Sequence, residues 1–232
     1  MIVDHHARTT AALVSGGVDS AVLVSELCKN HTEVFPLFVR GGLIWEETEL
    51  EHLGRYLQAI GCLKLRRLTV LDLPVCDIYG EHWGTTGHGV PDANSPDEAV
   101  YLPGRNLFLI TKAAVWCVFN HVDVLALGSL CANPFSDSTP EFDAAVSDVV
   151  YKAVGGRVVV VRPFAKLSKS EVIRRGAELP LELTFSCINP KLGKHCGVCN
   201  KCAERRRGFD EAGRRDLTPY ASDPRSNPSH FG

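Results

Sequence analysis

Residues 10–27 read TAALVSGGVDSAVLVSEL. It begins with a short apolar run that ends at Ser15. A pair of glycines follows, and after Asp19 the apolar residues recur at the three- and four-residue spacing of a helix. The stretch therefore predicts a buried strand over 10–15, a tight turn, and a helix over 19–27.

Strands and helices continue to alternate downstream of this unit. Apolar runs predict strands over 34–39, 65–71, 122–127 and 158–161, and helical periodicity predicts helices over 45–60, 106–120, 141–152 and 169–178. Such alternation is typical of an α/β fold, a parallel sheet covered by helices on both faces. Residues 72–102, rich in proline and glycine, interrupt this alternation of strands and helices. We expect so long a loop to lie over the functional site.

The length and charge of the chain limit its organisation and its partners. With 232 residues, of which 45% are hydrophobic, and a net charge of −2, the chain predicts an α/β domain over 1–182, a small segment over 183–220 and a flexible tail over 221–232. So small a net charge favours a small-molecule ligand over nucleic acid. No apolar run approaches the ~20 residues of a membrane span. Residues 1–10 lack the apolar stretch of a signal peptide, so we expect a cytoplasmic protein that does not enter a membrane.

The loop between the first strand and the first helix has the composition of a phosphate site. Gly16 and Gly17 allow main-chain N–H groups to approach an anion, and the hydroxyls of Ser15 and Ser20 add donors at the start of a helix. Asp19 would repel phosphate by itself, so we interpret it as a Mg²⁺ ligand or a helix cap. The alternative is a plain strand–helix turn, since neither common glycine-rich nucleotide motif occurs here.

The nine cysteines fall into two groups. Four lie within sixteen residues, at Cys187, Cys196, Cys199 and Cys202, with the spacing of a zinc knuckle. Four thiolates fill a tetrahedral shell, so the sequence predicts one structural zinc per chain. The alternatives are His195 in place of one thiolate, a redox or disulfide pair, and an iron–sulfur cluster. The other five cysteines are predicted to be small buried hydrophobes.

The loop sequence SGGVDS resembles the pyrophosphate loop of the PP-loop ATP pyrophosphatases. That superfamily cleaves ATP between the α- and β-phosphates and adenylates an acceptor oxygen, so that a nitrogen or sulfur nucleophile displaces AMP. The resemblance implies a Rossmann-like, adenine nucleotide alpha hydrolase-like fold with ATP and Mg²⁺ at the loop. The residues it assigns to ATP binding there are Val14, Ser15, Gly16, Gly17, Val18, Asp19 and Ser20.

A pyrophosphate loop combined with a C-terminal four-cysteine knuckle resembles the 7-cyano-7-deazaguanine synthase family, the QueC-type enzymes of queuosine precursor synthesis. The segments PGRNLFL at 103–109, FSDSTPEF at 135–142 and LTFSC at 183–187 are similar to segments of that family in order and spacing. The resemblance extends over residues 10–213. It implies that 7-carboxy-7-deazaguanine and ammonia give the nitrile, with ATP activating first the carboxylate and then the amide, in a protein that commonly forms homodimers.

The same resemblance implies roles for residues outside the loop. It assigns catalysis to Asp19, Ser20, Arg105 and Asp137, and nucleotide contacts also to Asn106 and Lys169. Arg105 is a bidentate donor suited to a carboxylate or phosphate. Asp137 and Glu141 are candidates for Mg²⁺ or for the N–H edge of a guanine-like ring. Lys166 and Lys169 are candidates for neutralising the leaving pyrophosphate.

Two segments depart from the family pattern where the acceptor is expected to bind. Residues 39–46 replace a DYGQ[RK]H stretch, and residues 136–140 lack the cysteine and arginine of the family. The identity of the acceptor, and the choice between a nitrile and an amide product, therefore stay open. The alternatives are another carboxylate acceptor, amidation or thiolation of tRNA using the arginines within 205–215 and Cys131, and a nucleotide-binding protein without turnover.

Overall fold

The computed structural model describes residues 9–131, 133 and 135–222. The strands are β1 Thr9–Leu13, β2 Glu33–Arg40, β3 Thr69–Asp72, β4 Val124–Leu127 and β5 Val159–Val161. They form a parallel sheet in the order β3-β2-β1-β4-β5. The order of strands reverses between β1 and β4, which is where ligands of open parallel sheets bind.

Helices cover both faces of this sheet, as the sequence predicted. They are α1 Val18–Asn30, α2 Glu46–Ala59, α3 Cys76–Tyr79, α4 Trp83–Thr86, α5 Arg105–Phe119, α6 Pro140–Val154, α7 Lys169–Arg175 and α8 Asn200–Glu211. One face packs against α1, α7 and α8, and the other packs against α5 and α6. Within the described part of the chain, every helix is too short or too polar to span a bilayer.

Two neighbouring alanines of β1 show why both faces need a cover. Ala12 belongs to the apolar cluster that includes Val22 of α1 and Ile173 of α7. Ala11 belongs to the cluster on the opposite face, with Ile110 of α5. Successive side chains of a strand point to opposite faces of the sheet. Both alanines are fully buried because helices cover each face. Burial on both sides explains the continuous apolar run of β1.

The third strand is shorter than the sequence predicted. The prediction covered residues 65–71, but β3 begins at Thr69, and before it Leu65 makes only an isolated bridge to Val34. β3 lies at the edge of the sheet. Between the bridge and the strand, exposed Arg66 forms an ion pair with Glu33. Charged residues at a sheet edge limit the length over which an edge strand pairs with its neighbour. The apolar pattern of the sequence does not show which strand lies at the edge, so it predicted too long a strand.

The segment between β3 and α5 contains α3, α4 and a 3-10 turn at Asp97–Val100. It crosses the carboxyl edge of the sheet, where Trp83, Tyr101 and Leu102 line a cavity. The prediction that this segment lies over the site is therefore confirmed.

The cysteine-bearing segment shares a core with the rest of the chain. Trp45, Leu102 and Phe185 form one apolar cluster with Cys187 and Cys202. The α/β fold with a C-terminal four-cysteine segment is thus confirmed, and the division at residue 182 stays a prediction. The tail predicted over 221–232 lies outside the described residues from 223 onward.

Candidate active site and metal centre

A cavity of about 450 Å³ opens at the carboxyl edge of the sheet, where β1, β2 and β4 end. The predicted site residues on its wall are Val14, Ser15, Gly17, Asp19, Ser20, Arg105, Asn106, Asp137 and Lys169. Gly16 and Val18 do not line it, and Val18 is fully buried in the core. Glu141 and Lys166 are exposed and also do not line it. The fold has therefore gathered residues from four separate segments of the chain.

Gly16 allows the loop to turn tightly against α2. Its φ is +81°, and a Cβ here would lie 3.0 Å from the main-chain oxygen of Glu49. The Ser20 hydroxyl donates to the Gly17 carbonyl at 3.0 Å and accepts from the Ser15 N–H at 3.3 Å. The Ser15 hydroxyl accepts the Gly17 N–H at 3.4 Å, and among the described residues no side chain caps α1. Asp19 therefore does not serve as the helix cap, and the N–H groups of the first turn of α1 are suited to an anion.

Asp19 pairs with a lysine from the far end of the domain. Lys169, the first residue of α7, donates to Asp19 Oδ2 at 2.7 Å and lies 3.3 Å from Glu204 Oε1 of α8. Burial disfavours the ammonium ion, but the two carboxylates outweigh it and raise the pKa of Lys169. Burial also opposes ionisation of Glu204, yet Lys169 and Lys201 lower its pKa to about 2. Lys169 and Glu204 therefore stay ionised at neutral pH.

Asp19 also has an unused oxygen. Its Oδ1 is buried and accepts no hydrogen bond from any residue that the structure describes. A buried carboxylate oxygen without a partner is costly unless a ligand satisfies it. Carboxylate oxygens are the ligands Mg²⁺ prefers, commonly together with substrate phosphates. The loop therefore fits a nucleotide accompanied by Mg²⁺.

At the start of α5, hydrogen bonds link the segment 103–109 to the segment 135–142. The main-chain N–H and the side-chain amide of Asn106 donate to the two carboxylate oxygens of Asp137, at 3.3 and 3.0 Å. The Arg105 guanidinium lies over the Trp45 ring, 5.9 Å from its centroid. Arg105 Nε is buried and has no partner among the described residues. A guanidinium with free donors in a cavity suits a carboxylate or a phosphate.

Arg162, which sequence reasoning missed, fixes the loop that carries Asp137. It donates to both carboxylate oxygens of Asp143, at 2.6 and 2.7 Å, and both side chains are more than nine-tenths buried. It also donates to the hydroxyls of Ser129 and Ser138, at 2.6 and 2.7 Å. The only signal in the sequence is a single arginine at the end of the apolar run of β5.

Two buried glutamates at the start of α2 were also missed. The first, Glu46, has a structural function. Its Oε2 accepts the main-chain N–H groups of Gly41, Gly42 and Leu43, at 2.7, 2.7 and 3.1 Å. This carboxylate therefore holds the turn within residues 39–46, the segment that departs from the family pattern.

The second glutamate, Glu49, lines the cavity. Its Oε2 is buried and has no partner among the described residues. Burial raises the pKa of Glu49 well above its usual range, since the opposing charge of Arg105 is too weak to compensate and the charge of Glu46 adds to the rise. The fold thus keeps a buried carboxyl oxygen without a partner among the described residues in the cavity wall.

Replacing Glu49 with glutamine is expected to raise the free energy of unfolding by about 0.5–2 kcal/mol. The unfolded chain ionises at the ordinary pKa, so a raised pKa in the fold makes the wild type lose stability as the pH rises above that value. Glutamine does not ionise. Urea denaturation should therefore show a larger gain at about pH 8 than at about pH 5. An equal gain at both values would contradict the raised pKa.

The four predicted metal ligands form one buried cluster. The Sγ atoms of Cys187, Cys196, Cys199 and Cys202 all lie within 4.8 Å of one another. Two of the separations are 3.8 Å, between Cys187 and Cys199, and 3.9 Å, between Cys196 and Cys202. Sulfurs arranged tetrahedrally around zinc, each at roughly 2.3 Å, are about 3.8 Å apart. All four thiols are free, so the disulfide alternative is wrong for them.

Main-chain N–H groups are directed at two of these sulfurs. Cys187 Sγ accepts from the N–H groups of Asn189 and Cys196, at 3.3 and 3.2 Å. Cys196 Sγ accepts from those of Val198 and Cys199, at 3.4 and 3.3 Å. Such hydrogen bonds favour the thiolate, the form that binds a metal. The residues therefore fit a metal ion with four sulfur ligands.

His195 is not part of the cluster, which consists of the four cysteines. Its Nε2 accepts the Ser186 N–H at 3.0 Å. Burial, reinforced by the charge of Arg205, lowers the pKa of His195 to about 3, so the ring is neutral. The histidine supports the chain beside the cluster and does not replace a thiolate.

Two of the three arginines of α8, Arg205 and Arg206, are buried and are not part of a solvated face. Arg205 is fully buried, and its guanidinium donates to Asp216 at 3.2 Å, Thr184 at 2.8 Å and Thr218 at 2.7 Å. Arg206 is 8% exposed and donates to a main-chain carbonyl at 2.7 Å. These two residues hold the C-terminal segment together, so they are not available to a tRNA substrate.

Replacing Arg205 with methionine is expected to lower the free energy of unfolding by about 3–5 kcal/mol, because it leaves Asp216 buried without its partner. Urea denaturation measures the change. Arg207 is the matched control, since its side chain is 54% exposed and it lies 4.0 Å from an exposed aspartate. Arg207→Met is expected to cost less than about 1 kcal/mol. Equal losses in the two variants would contradict this account of Arg205.

The remaining five cysteines follow the prediction only in part. Cys28 and Cys117 are buried, and burial raises the pKa of each thiol to about 12. Cys62 and Cys76 are half-buried. Cys131 is exposed in the turn after β4 and does not line the cavity. The buried-hydrophobe prediction is therefore wrong for Cys131, and so is its candidacy as a thiol within the site.

The chain is similar to known proteins over most of its length. The family model described as queuosine biosynthesis protein QueC matches residues 9–213. The 7-cyano-7-deazaguanine synthase of Syntrophobacter fumaroxidans is 33% identical over 240 residues, which cover 94% of this chain and 98% of that protein. The synthase of the same name from Methanothrix thermoacetophila is 30% identical over 226 residues, which cover 90% of this chain and 96% of that protein.

A solved structure shares the fold. The crystal structure of a predicted subunit of tRNA methyltransferase from Methanocaldococcus jannaschii aligns with a TM-score of 0.50, covering 93% of this chain and 94% of that one at 14% identity. At so low an identity the likeness concerns the architecture alone. The family match extends from β1 beyond the end of α8 and so includes both the glycine loop and the four cysteines. This chain belongs to the QueC family of queuosine biosynthesis proteins.

Proposed function

We propose that this protein makes 7-cyano-7-deazaguanine from 7-carboxy-7-deazaguanine, ammonia and ATP, releasing AMP and diphosphate. The names of its relatives support this reaction, since synthases of that product match the chain over nearly their whole length. One observation carries the proposal. The glycine loop and Arg105, whose buried Nε has no partner among the described residues, lie on one cavity, so a nucleotide and a carboxylate can meet there.

The loop is the site for the β- and γ-phosphates of ATP. The hydroxyl of Ser15 and the first N–H groups of α1 lie beside the cavity as donors, and the Ser20 hydroxyl holds the loop by donating to the Gly17 carbonyl. Mg²⁺ bound with ATP supplies charge that offsets that of the phosphates, and Asp19 Oδ1 is the oxygen that would hold it. Lys169, kept charged by Asp19 and Glu204, offsets negative charge on the departing diphosphate.

The acceptor carboxylate is held by Arg105, and one of its oxygens attacks the α-phosphorus of ATP. Diphosphate leaves and an acyl adenylate forms. Ammonia then displaces AMP and gives the amide. The amide oxygen attacks a second ATP in the same way, and loss of AMP and a proton leaves the nitrile. Asn106 and Asp137 form the cavity wall beside Arg105 and position the acceptor.

We propose that the metal of the four-cysteine cluster is zinc and that its role is structural. Cys187, Cys196, Cys199 and Cys202 would provide all four ligands of a closed tetrahedral site, which has no position for a reacting water. The ion would anchor the start of α8, which carries Glu204 to Lys169. A homodimeric state and a cytoplasmic location stay predictions from the family and the composition.

The test of this function is diphosphate release from ATP with and without 7-carboxy-7-deazaguanine and ammonia. We expect release that depends on the acceptor and a product whose mass is that of the nitrile. An amide product that does not react further would show that the protein activates the carboxylate but not the amide, and so does not make the nitrile. Release that requires tRNA, or none with any carboxylate acceptor, would contradict the proposal.

A further inference from the structure

We propose that Glu49 recognises the heterocyclic ring of the acceptor by accepting hydrogen bonds from its ring N–H and exocyclic amino groups. The inference rests on the proposed function and names the side chain that distinguishes a guanine-like acceptor from other carboxylates. Sequence reasoning had considered Asp137 and Glu141 for this contact, but the structure favours neither. Glu141 does not line the cavity, and both oxygens of Asp137 already accept bonds from Asn106.

Glu49 is built into the fold as an acceptor without a partner. The residue is 7% exposed, lines the cavity, and has a buried Oε2 that accepts no bond from any described residue. Glu46, three residues earlier on α2, accepts three main-chain N–H groups through Oε2, whereas its Oε1 is buried without a partner among the described residues. Glu46 does not line the cavity, so of these two glutamates Glu49 is the one that a ligand can reach. A buried polar group left without a partner in a cavity is typical of a ligand contact.

The other carboxylates of the cavity wall have partners. Asp19 and Glu204 pair with Lys169, and the remaining oxygen of Asp19 lies in the phosphate loop. Asp97 is exposed and accepts from a side-chain amide of α8 at 3.3 Å. Glu49 is therefore the wall carboxylate outside the phosphate loop that has a buried oxygen without a partner among the described residues.

The surroundings of Glu49 suit a flat ring that carries a carboxylate. Trp83, Tyr101 and Phe135 line the same cavity, and aromatic faces stack favourably with heteroaromatic rings. Arg105 is close enough for its charge to act on Glu49. An acceptor whose carboxylate binds Arg105 can therefore present its other edge to the glutamate.

Hydrogen-bond capacity fits the same ligand. The edge of a guanine-like ring offers two neighbouring donors, the ring N–H and the amino group. The carboxyl group of glutamate offers acceptor oxygens in either protonation state. Glutamine at this position keeps one carbonyl acceptor and replaces the other oxygen with a donor. Alanine removes both acceptors.

The test compares two acceptors on the wild type and on two Glu49 variants. The acceptors are 7-carboxy-7-deazaguanine and the same compound with hydrogen in place of its 2-amino group. Rates of acceptor-dependent diphosphate release give kcat/KM for each. The wild type is expected to prefer the amino compound by about tenfold or more, because the analogue leaves a buried acceptor unpaired. Glu49→Ala should reduce the preference to about twofold or less, and Glu49→Gln should give an intermediate value.

The matched control is Glu51→Gln, since Glu51 lies on the same helix in an exposed pair with Arg55. It should keep the full preference. Calorimetric binding of a non-hydrolysable ATP analogue checks that the Glu49 variants fold and retain the nucleotide site. An undiminished preference in Glu49→Ala would overturn the inference and leave the proposed function standing. Loss of nucleotide binding in both Glu49 variants would also overturn it, by assigning the residue to ATP. A wild type that activates neither acceptor would overturn both proposals.

Discussion

Replacing Asp19 with asparagine is expected to lower acceptor-dependent ATP cleavage by at least about 100-fold. The carboxylate pairs with Lys169 through Oδ2, and its Oδ1 is buried without a partner among the described residues. Asparagine has nearly the same shape, but it removes the charge that a phosphate-bound cation needs. It also takes away one of the two carboxylates that keep Lys169 charged. Single-turnover diphosphate release measures the loss.

The fold of this variant should be intact, because Lys169 keeps its contact with Glu204 and the amide oxygen of asparagine can still accept from the lysine. Thermal denaturation checks this. Asp148→Asn on α6 is the matched control, since that residue is in an exposed ion pair with Lys152. It should leave cleavage unchanged. Near-normal turnover in Asp19→Asn would contradict the proposed role of the loop carboxylate.

Replacing Cys196 with serine is expected to lower Tm by about 10 °C or more. A structural metal contributes its binding energy to folding, and each kcal/mol shifts Tm by roughly 2–4 °C in a domain of this size. The loss should reach the active site, because α8 carries Glu204 and because the N–H of Phe185 donates to the carbonyl of Gly16 at 2.8 Å. We therefore expect the metal, the stability and the turnover to be lost together.

Elemental analysis of the purified protein, thermal denaturation and limited proteolysis measure these effects. The wild type should contain about one zinc per chain, and cleavage in the variant should begin after residue 182. Cys131→Ser is the control, since that cysteine is exposed and outside the cluster. It should keep the metal and the melting temperature. A soluble, fully active and metal-free Cys196→Ser protein would contradict the structural role.

The parts of the site that could be predicted are local in the sequence. The glycine loop lies between an apolar run and a periodic helix. A loop that connects a parallel strand to the following helix lies at the carboxyl edge of the sheet, so its position could be predicted. Two residues separate Cys196 from Cys199, and two separate Cys199 from Cys202. Cysteines this near in sequence lie close together in space whatever the fold of the rest of the chain, so the metal site could be predicted. The parallel sheet followed from the alternation of strands and helices. The largest error in a strand is at β3, which begins four residues late because charged residues at a sheet edge limit pairing. Among the helices, α7 ends three residues before the predicted 178 and α1 extends three residues beyond the predicted 27.

The parts that could not be predicted depend on distant partners. Lys169 and Asp19 are 150 residues apart, and Arg162 reaches Ser129 across 33 residues. Glu49 is one of several glutamates on α2, and nothing in their spacing shows which of them faces a cavity. Arg205 lies in a run of three arginines that has the composition of a solvated face, yet it is fully buried. Tertiary packing, which a single sequence does not reveal, decides each of these cases.

The most direct test of the central claim follows the oxygen of the acceptor. If the cavity adenylates the carboxylate, 7-carboxy-7-deazaguanine labelled with ¹⁸O in its carboxylate must transfer that oxygen to AMP, because the oxygen attacks the α-phosphorus and leaves with it. Mass spectrometry of the AMP formed with ATP and ammonia should therefore show ¹⁸O-labelled AMP and a nitrile without label. Unlabelled AMP from the same incubation would contradict the account.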